Sequence, residues 1–190
     1  MFKQNHLVVC VALATLLGLA SASAQTASPK SGHGTSSQNV TQAEKRFLTE
    51  AIQGDLAEMN IGKLAQDKGQ ADEVKQFGQM LERDHGDHLK EAEQMAEQMG
   101  ITAPNTPSAE QQATHDILAK LFGDAFDKEF KRAMVKDHQE DIAKYRRQAQ
   151  GKGPLAQFAQ QTVPTLEKHL KHAQALGQPA PTTGKGGTNR

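Results

Sequence analysis

Four segments of this chain each carry a stripe of apolar residues at helical spacing, and each stripe is broken near its middle by a residue able to bind a metal: Glu58, His85, His138 and His169. A buried carboxylate or imidazole is costly unless something pairs with it. Four such groups aimed at one interior need a shared explanation. The simplest is a metal site inside a four-helix bundle.

The stripes follow from counting. In the second segment Val74, Gly78, Leu81, His85, His88, Ala92, Met95 and Met99 alternate four-three steps, which keeps them on one side of a helix. The fourth repeats this through Leu155, Ala159, Thr162, Leu166, His169, Ala173 and Leu176, and the third through Val135, His138, Ile142, Tyr145 and Ala149. In the first, Phe47, Ala51, Gly54, Glu58, Ile61 and Ala65 form one row, and Leu48, Ile52, Asp55, Met59 and Gly62 its neighbour. Asp55 therefore joins Glu58 as a candidate on that helix.

Residues 1–24 read as a signal peptide, with Lys3 as the positive end, Leu7 to Ala20 as the apolar run and Ala22-Ser23-Ala24 as the cleavage site. The run is too short to span a bilayer well, a retained anchor being the alternative. Export points to the periplasm, with outer-membrane association or release from the cell as variants of that expectation. The single cysteine, Cys10, lies inside the leader, so disulfides and thiolate chemistry drop out of the function. Loss of Lys3 from 22 basic residues leaves 21 against 22 acidic ones, a charge of −1, which argues against nucleic-acid partners. No transmembrane segment is expected in the mature chain.

Ser, Gly, Thr and Gln dominate residues 25–40, and Pro, Gly and Thr dominate 178–190, so both are expected to be disordered around a bundle domain spanning 41–177. Within the bundle the pattern predicts helices over 41–66 and 71–99, the latter closed by Gly100, then a loop marked by Pro104 and Pro107. Ser108 with Gln111 predicts a capping box on a short extra helix between the second and third long ones. An unbroken helix from Ser108 to Gln150 would exceed about 60 Å against roughly 40 Å for its neighbours, so a break is expected at Gly123. Asp124 is then expected to cap the third long helix, and the fourth runs over 154–176 with Pro164 inside it. The short helix, with Ile117, Leu118, Leu121 and Phe122, is expected to cover one end of the bundle. A faint repeat, Val74-Lys75-Gln76-Phe77-Gly78-Gln79 against Leu155-Ala156-Gln157-Phe158-Ala159-Gln160, implies two related helical hairpins.

Heights along the helices run from about 12 Å for Glu58 to about 24 Å for His169 above the hairpin turns, and the lean of side chains toward each N-terminus narrows that spread. One cluster or two small ones would satisfy it. Imidazole nitrogen with carboxylate oxygen suits iron, manganese, zinc or copper as a bound transition metal ion. Asp84 and Asp137 adjoin His85 and His138, and together with Asp55 and His88 they are candidates for direct ligation or for orienting a neighbouring ring. The bland readings stand beside these: a lone inward histidine is usually a satisfied core residue, Asp84 and Asp137 can pair with Arg83 and Lys136, and His88 can simply replace an apolar side chain. The methionines read as core filler, and His33, His115 and His172 as solvated.

Several short motifs carry a resemblance: Ala57-Glu58 followed by Gly62-Lys63-Leu64-Ala65, Asp84-His85, Gly123 with Ala125-Phe126-Asp127, Met134-Val135-Lys136-Asp137-His138, and Pro164-Thr165-Leu166-Glu167-Lys168-His169-Leu170. Over about 43–176 the chain resembles secreted bacterial proteins of the ferritin-like class with the domain of unknown function numbered four-one-four-two, often called outer-membrane proteins. The resemblance implies an all-α, ferritin-like up-down four-helix bundle with its polar signature on Glu58, His85, His138 and His169. It supplies no reaction. The chain does not carry a Glu-x-x-His pair on each of two helices, as di-iron members of the wider class do.

These readings converge on a periplasmic or secreted metal-binding four-helix bundle, serving metal handling or oxidative-stress defence, with no catalytic residue assigned. Turnover, were there any, would be that of a metal-dependent oxidoreductase. The alternative is a non-enzymatic envelope-stress or chaperone-like bundle whose polar core residues only set helix register.

Overall fold

The first helix starts where Thr41 accepts a hydrogen bond from the Glu44 amide while the Glu44 carboxylate reaches back to the Thr41 amide, a capping box that satisfies two otherwise orphaned donors. The computed structural model describes residues 40–178 and gives, in chain order, α1 Gln42–Lys68, α2 Asp72–Gln98, α3 Ala109–Leu118, α4 Gly123–Ala149 and α5 Pro154–Ala175. Strands are absent among the described residues. The expected leader, nearly all of the 25–40 linker, and the tail beyond Gln178 lie outside them.

Two hairpins make the body: α1 with α2, and α4 with α5. Within the first, the backbones almost touch. A Cβ added to Gly62 would lie 2.6 Å from the Gly78 carbonyl oxygen, and one added to Gly78 would lie 2.6 Å from that of Gly62, so only glycine fits at this crossing. Where the hairpins meet, the Gln70 and Ala71 amides in the α1–α2 turn donate to the Asp127 carboxylate near the start of α4, at 2.9 Å each. Lys131 of α4 donates to the Leu176 carbonyl at the end of α5. The ends of α1 and α5 and the starts of α2 and α4 therefore share one end of the bundle. This makes α2 and α4 parallel rather than successively up and down, and the connection over residues 99–122 runs back along the bundle to join them.

The expected short helix forms, with the Ser108–Gln111 capping box in place. Its location corrects the expectation. It lies along the flank formed by α1 and α4, where Gln111 sits beside Gly54 and the Ala119 carbonyl accepts from Lys68, and it does not lid an end. Leu118 anchors it in the core, whereas Ile117 and Phe122 are 51% and 70% exposed. The break at Gly123 is real, with φ at +57°. Asp124, however, caps nothing: Phe122 is the N-cap without a side-chain bond, and Asp124 instead accepts from Gln70.

The core divides into two apolar clusters. Phe47, Leu48, Ile52, Ile142, Tyr145 and Phe158 belong to one, and Ile61, Leu81, Phe126, Phe130 and Met134 to the other. Along α1, α2 and α4 the chain passes from one cluster to the other through a polar stretch, at Asp55 and Glu58, at His85, and at His138; on α5 His169 stands between Leu166 and Ala173. Asp55, Glu58, His85, His138 and His169 are all at most 5% exposed. A polar layer thus crosses the bundle between two greasy blocks.

Candidate metal centre

Each long helix contributes to this layer through its inward row. His85, His138 and His169 meet with ring centroids 5.3 to 5.9 Å apart, and each offers a nitrogen within 4.8 Å of the others. Glu58, Asp137 and His138 form a second group of the same tightness. Nitrogens around one tetrahedral ion with bonds of ~2.1 Å would be about 3.4 Å apart, so small side-chain rotations close the first group onto a metal.

The back of every ring is tied. His138 Nδ1 lies 3.0 Å from the Met134 carbonyl oxygen, which can only accept, so Nδ1 carries the proton. His85 Nδ1 donates to Asp55 at 2.9 Å, and His169 Nε2 donates to Asp84 at 2.9 Å. The opposite nitrogens, His85 Nε2, His138 Nε2 and His169 Nδ1, then present lone pairs. Those three atoms and Glu58 Oε2 are the buried side-chain polar atoms without a hydrogen-bond partner among the described residues. Proteins rarely leave such groups unsatisfied, and ring orientation by carboxylates and carbonyls is how metal-binding imidazoles are held.

Electrostatics favour a cation here. Burial, then the charges of His85 and His169, holds His138 well below the ordinary histidine value; burial and His85 hold His169 at about 4 despite Asp84. Both rings are neutral near pH 7, as a metal ligand must be. On the acid side, burial, then the charge of Asp137 and its hydrogen bonding with Glu58, then the charges of Asp141 and Asp55, push Glu58 well above the carboxylate range. Burial also raises Asp55 and Asp84, but the histidine hydrogen bonds, with Arg83 helping at Asp84, outweigh it and keep both lowered.

The other sequence candidates fall into distinct places. Asp55 and Asp84 stand behind rings as acceptors, and Asp84 also pairs with Arg83 at 2.7 Å. His88 is not free to take up an ion. Its Nδ1 meets Asp55 at 2.7 Å and its Nε2 meets Thr162 Oγ1 at 3.0 Å, while Thr162 donates to the Phe158 carbonyl. His172 is exposed, as expected, and His115 is partly covered and faces Asp116. His33 lies outside the described residues. Glu82, at Glu-x-x-His spacing before His85, turns away to Gln66 and Lys63.

Asp141 was not singled out by the sequence reading. It is pushed up to about 6, by burial and by Asp137, and it lines both clefts that approach the layer. One cleft, about 660 Å³, opens between α1, α3 and α4 onto Glu58 and Asp137. The other, about 400 Å³, opens onto His85 and His169. The signal for Asp141 was its spacing, three residues after His138 and therefore on the same face of α4.

A family model described as Domain of unknown function (DUF4142) matches residues 29–176. The chain belongs to this family. The DUF4142 match takes in all five helices and every residue of the polar layer. No curated protein shows significant similarity to the chain. Among solved structures, the chain is similar to one described as a DUF305 fragment from Deinococcus radiodurans, with a TM-score of 0.64 and 17% identity over 72% of this chain and 95% of that one. At that identity the likeness concerns the helical fold. No helix of the described residues is long and apolar enough to cross a membrane.

Proposed function

We propose that this DUF4142 chain binds one transition metal ion in its core, through His85 Nε2, His138 Nε2, His169 Nδ1 and a Glu58 carboxylate oxygen, and that it serves metal handling in the cell envelope. The observation that carries this reading is that three buried imidazole nitrogens without partners lie within 4.8 Å of one another, each ring fixed from behind, while the buried and unpartnered Glu58 carboxylate lies within the same distance of the shared His138. One ion is favoured over two because His138 has a single free nitrogen to share between the two ligand groups and because Glu82 faces away. The nitrogen-rich, thiol-free set suits iron, manganese, zinc or copper. The leader-like N-terminus supports export, and the one long return connection between parallel α2 and α4 supports a ferritin-like arrangement. Oxidative-stress defence is the form this would take if the ion is redox-active.

Elemental analysis of the purified full chain tests this reading, with one equivalent of metal expected. Glu58→Gln and His138→Gln should each lower occupancy, and added metal should raise the melting temperature of stripped protein. A stripped chain whose melting ignores all four metals would sink the proposal. The chaperone-like alternative calls for a contiguous apolar surface. Ile117 and Phe122 are the exposed large hydrophobics among the described residues, and Lys68 lies over the Phe122 ring, so that reading gains no support.

A further inference from the structure

The two ligand groups share His138 and open on different sides, and this bears on how an ion gets in. Glu58 and Asp137 line the cleft between α1, α3 and α4; His85 and His169 line the other cleft; His138 lines neither and stands between them. Because His138 Nδ1 is committed to the Met134 carbonyl, only Nε2 can bind, and it can bind one ion at a time. The two groups are therefore alternative positions for one ion.

We propose that the ion loads through the α1–α3–α4 cleft, pausing on Glu58, Asp137 and His138 before His85 and His169 replace Asp137. This rests on the core site proposed above and adds its direction of filling. Burial is graded along the way: Glu140 at the mouth is exposed, Asp137 half-buried, and Glu58 and His138 buried. Carboxylate oxygens suit a cation that still holds water, and imidazoles suit it once stripped. Of the basic groups lining this cleft, Lys136 pairs with Glu140, Lys144 with Asp141 and Glu50, and Arg132 with Glu129, leaving the exposed Arg147 without an ion pair among the described residues, while Glu58 Oε2 has no hydrogen-bond partner there. On the opposite side the carboxylates nearest the rings, Asp55 and Asp84, are occupied by ring N–H groups. Glu91 at the other cleft is exposed, so among the described residues the buried carboxylate oxygen without a hydrogen-bond partner, that of Glu58, lies on the loading side.

Stopped-flow loading of Co²⁺ into the stripped full chain, followed by the cobalt absorption bands, tests the route, with release driven by excess chelator. Gly54 lines the loading cleft, and a Cβ there meets only Asp141 Oδ2 and Gln111 Nε2 at 3.8 Å, so the backbone leaves room for the Gly54→Met side chain to enter the passage. Loading and release should both slow, at least about tenfold, with the dissociation constant unchanged, because an obstructed path alters both rates alike. Thr165→Met, in the other cleft, should leave both rates as they were. Asp137→Asn should slow loading by about tenfold or more through loss of the capturing charge. Slowing by Thr165→Met but not Gly54→Met, or loading indifferent to Asp137→Asn, overturns the route while leaving the core site standing. Failure of the chain to bind Co²⁺ at equilibrium overturns the site and the route together.

Discussion

His138 donates its Nδ1 proton to the carbonyl of Met134, one turn earlier on the same helix, at 3.0 Å. The bond fixes which nitrogen of a fully buried ring faces the other three helices. It also means that the orientation of His138 depends on α4 alone, whereas His85 and His169 are set by carboxylates on neighbouring elements.

Asp55 takes a ring N–H from both His85 and His88, so its loss should be felt twice. Asp55→Asn is expected to weaken metal affinity by roughly 10- to 100-fold, the usual cost of removing a group that orients a ligand. A competition titration with a chromophoric chelator measures this, and circular dichroism should show the helices retained.

Glu58 has a folded-state pKa raised above its unfolded value, so its contribution to stability is fully present below about pH 4.3 and is lost as pH rises through the folded pKa. In metal-free protein at pH 7, Glu58→Gln should therefore stabilise the fold, on the order of 1 kcal/mol, while weakening metal binding. Urea unfolding with and without metal should show these opposite signs. At pH 4 the stabilising effect should shrink.

The same site should release protons when it fills. A metal ion seated against Glu58 favours the ionised carboxylate that burial and Asp137 oppose. Titration calorimetry in buffers of differing ionisation enthalpy is expected to show net proton release on metal binding, and Glu58→Gln should reduce that dependence.

His138 and His169 are depressed, His169 to about 4, against an unfolded value near 6.5. Between those values the unfolded chain takes up protons that the folded chain refuses, so stability is held above about pH 6.5 and declines as pH falls toward 4. Melting temperatures of metal-free protein across this window should fall with pH. His169→Gln should flatten the slope.

Gly62 and Gly78 let α1 and α2 approach at backbone contact. Gly62→Ala should force the hairpin apart and cost about 1 to 3 kcal/mol, read by urea unfolding. The displacement should also lower metal affinity, because Glu58 and His85 lie on the two helices being separated.

That Glu58, His85, His138 and His169 all face the interior was legible because helical periodicity sets the face a residue occupies on its own helix, and four apolar rows leave little choice of interior. For residues at other angles the sequence offered a role but not the partner. Asp84 is about 100° around α2 from His85. Only the placement of α5 turns it toward His169 rather than leaving it with Arg83 alone. His88 shares the inward row, yet Asp55 and Thr162 claim both of its nitrogens, and that depends on interhelical distances no spacing encodes. The run of α3 along the flank was missed for a related reason: its apolar residues predicted burial of four side chains, and the fold uses Leu118 as the anchor while leaving Ile117 and Phe122 outside.

The hydrogen bonds of the polar layer are unevenly shared: Asp55 and Asp84 stitch α1 to α2 and α2 to α5, while the ring on α4 is fastened only to its own backbone. An ion bridging Glu58 and His85 to His138 and His169 would rivet one hairpin to the other. Filling and emptying would then be felt mechanically, as a change in how firmly the two halves are clamped.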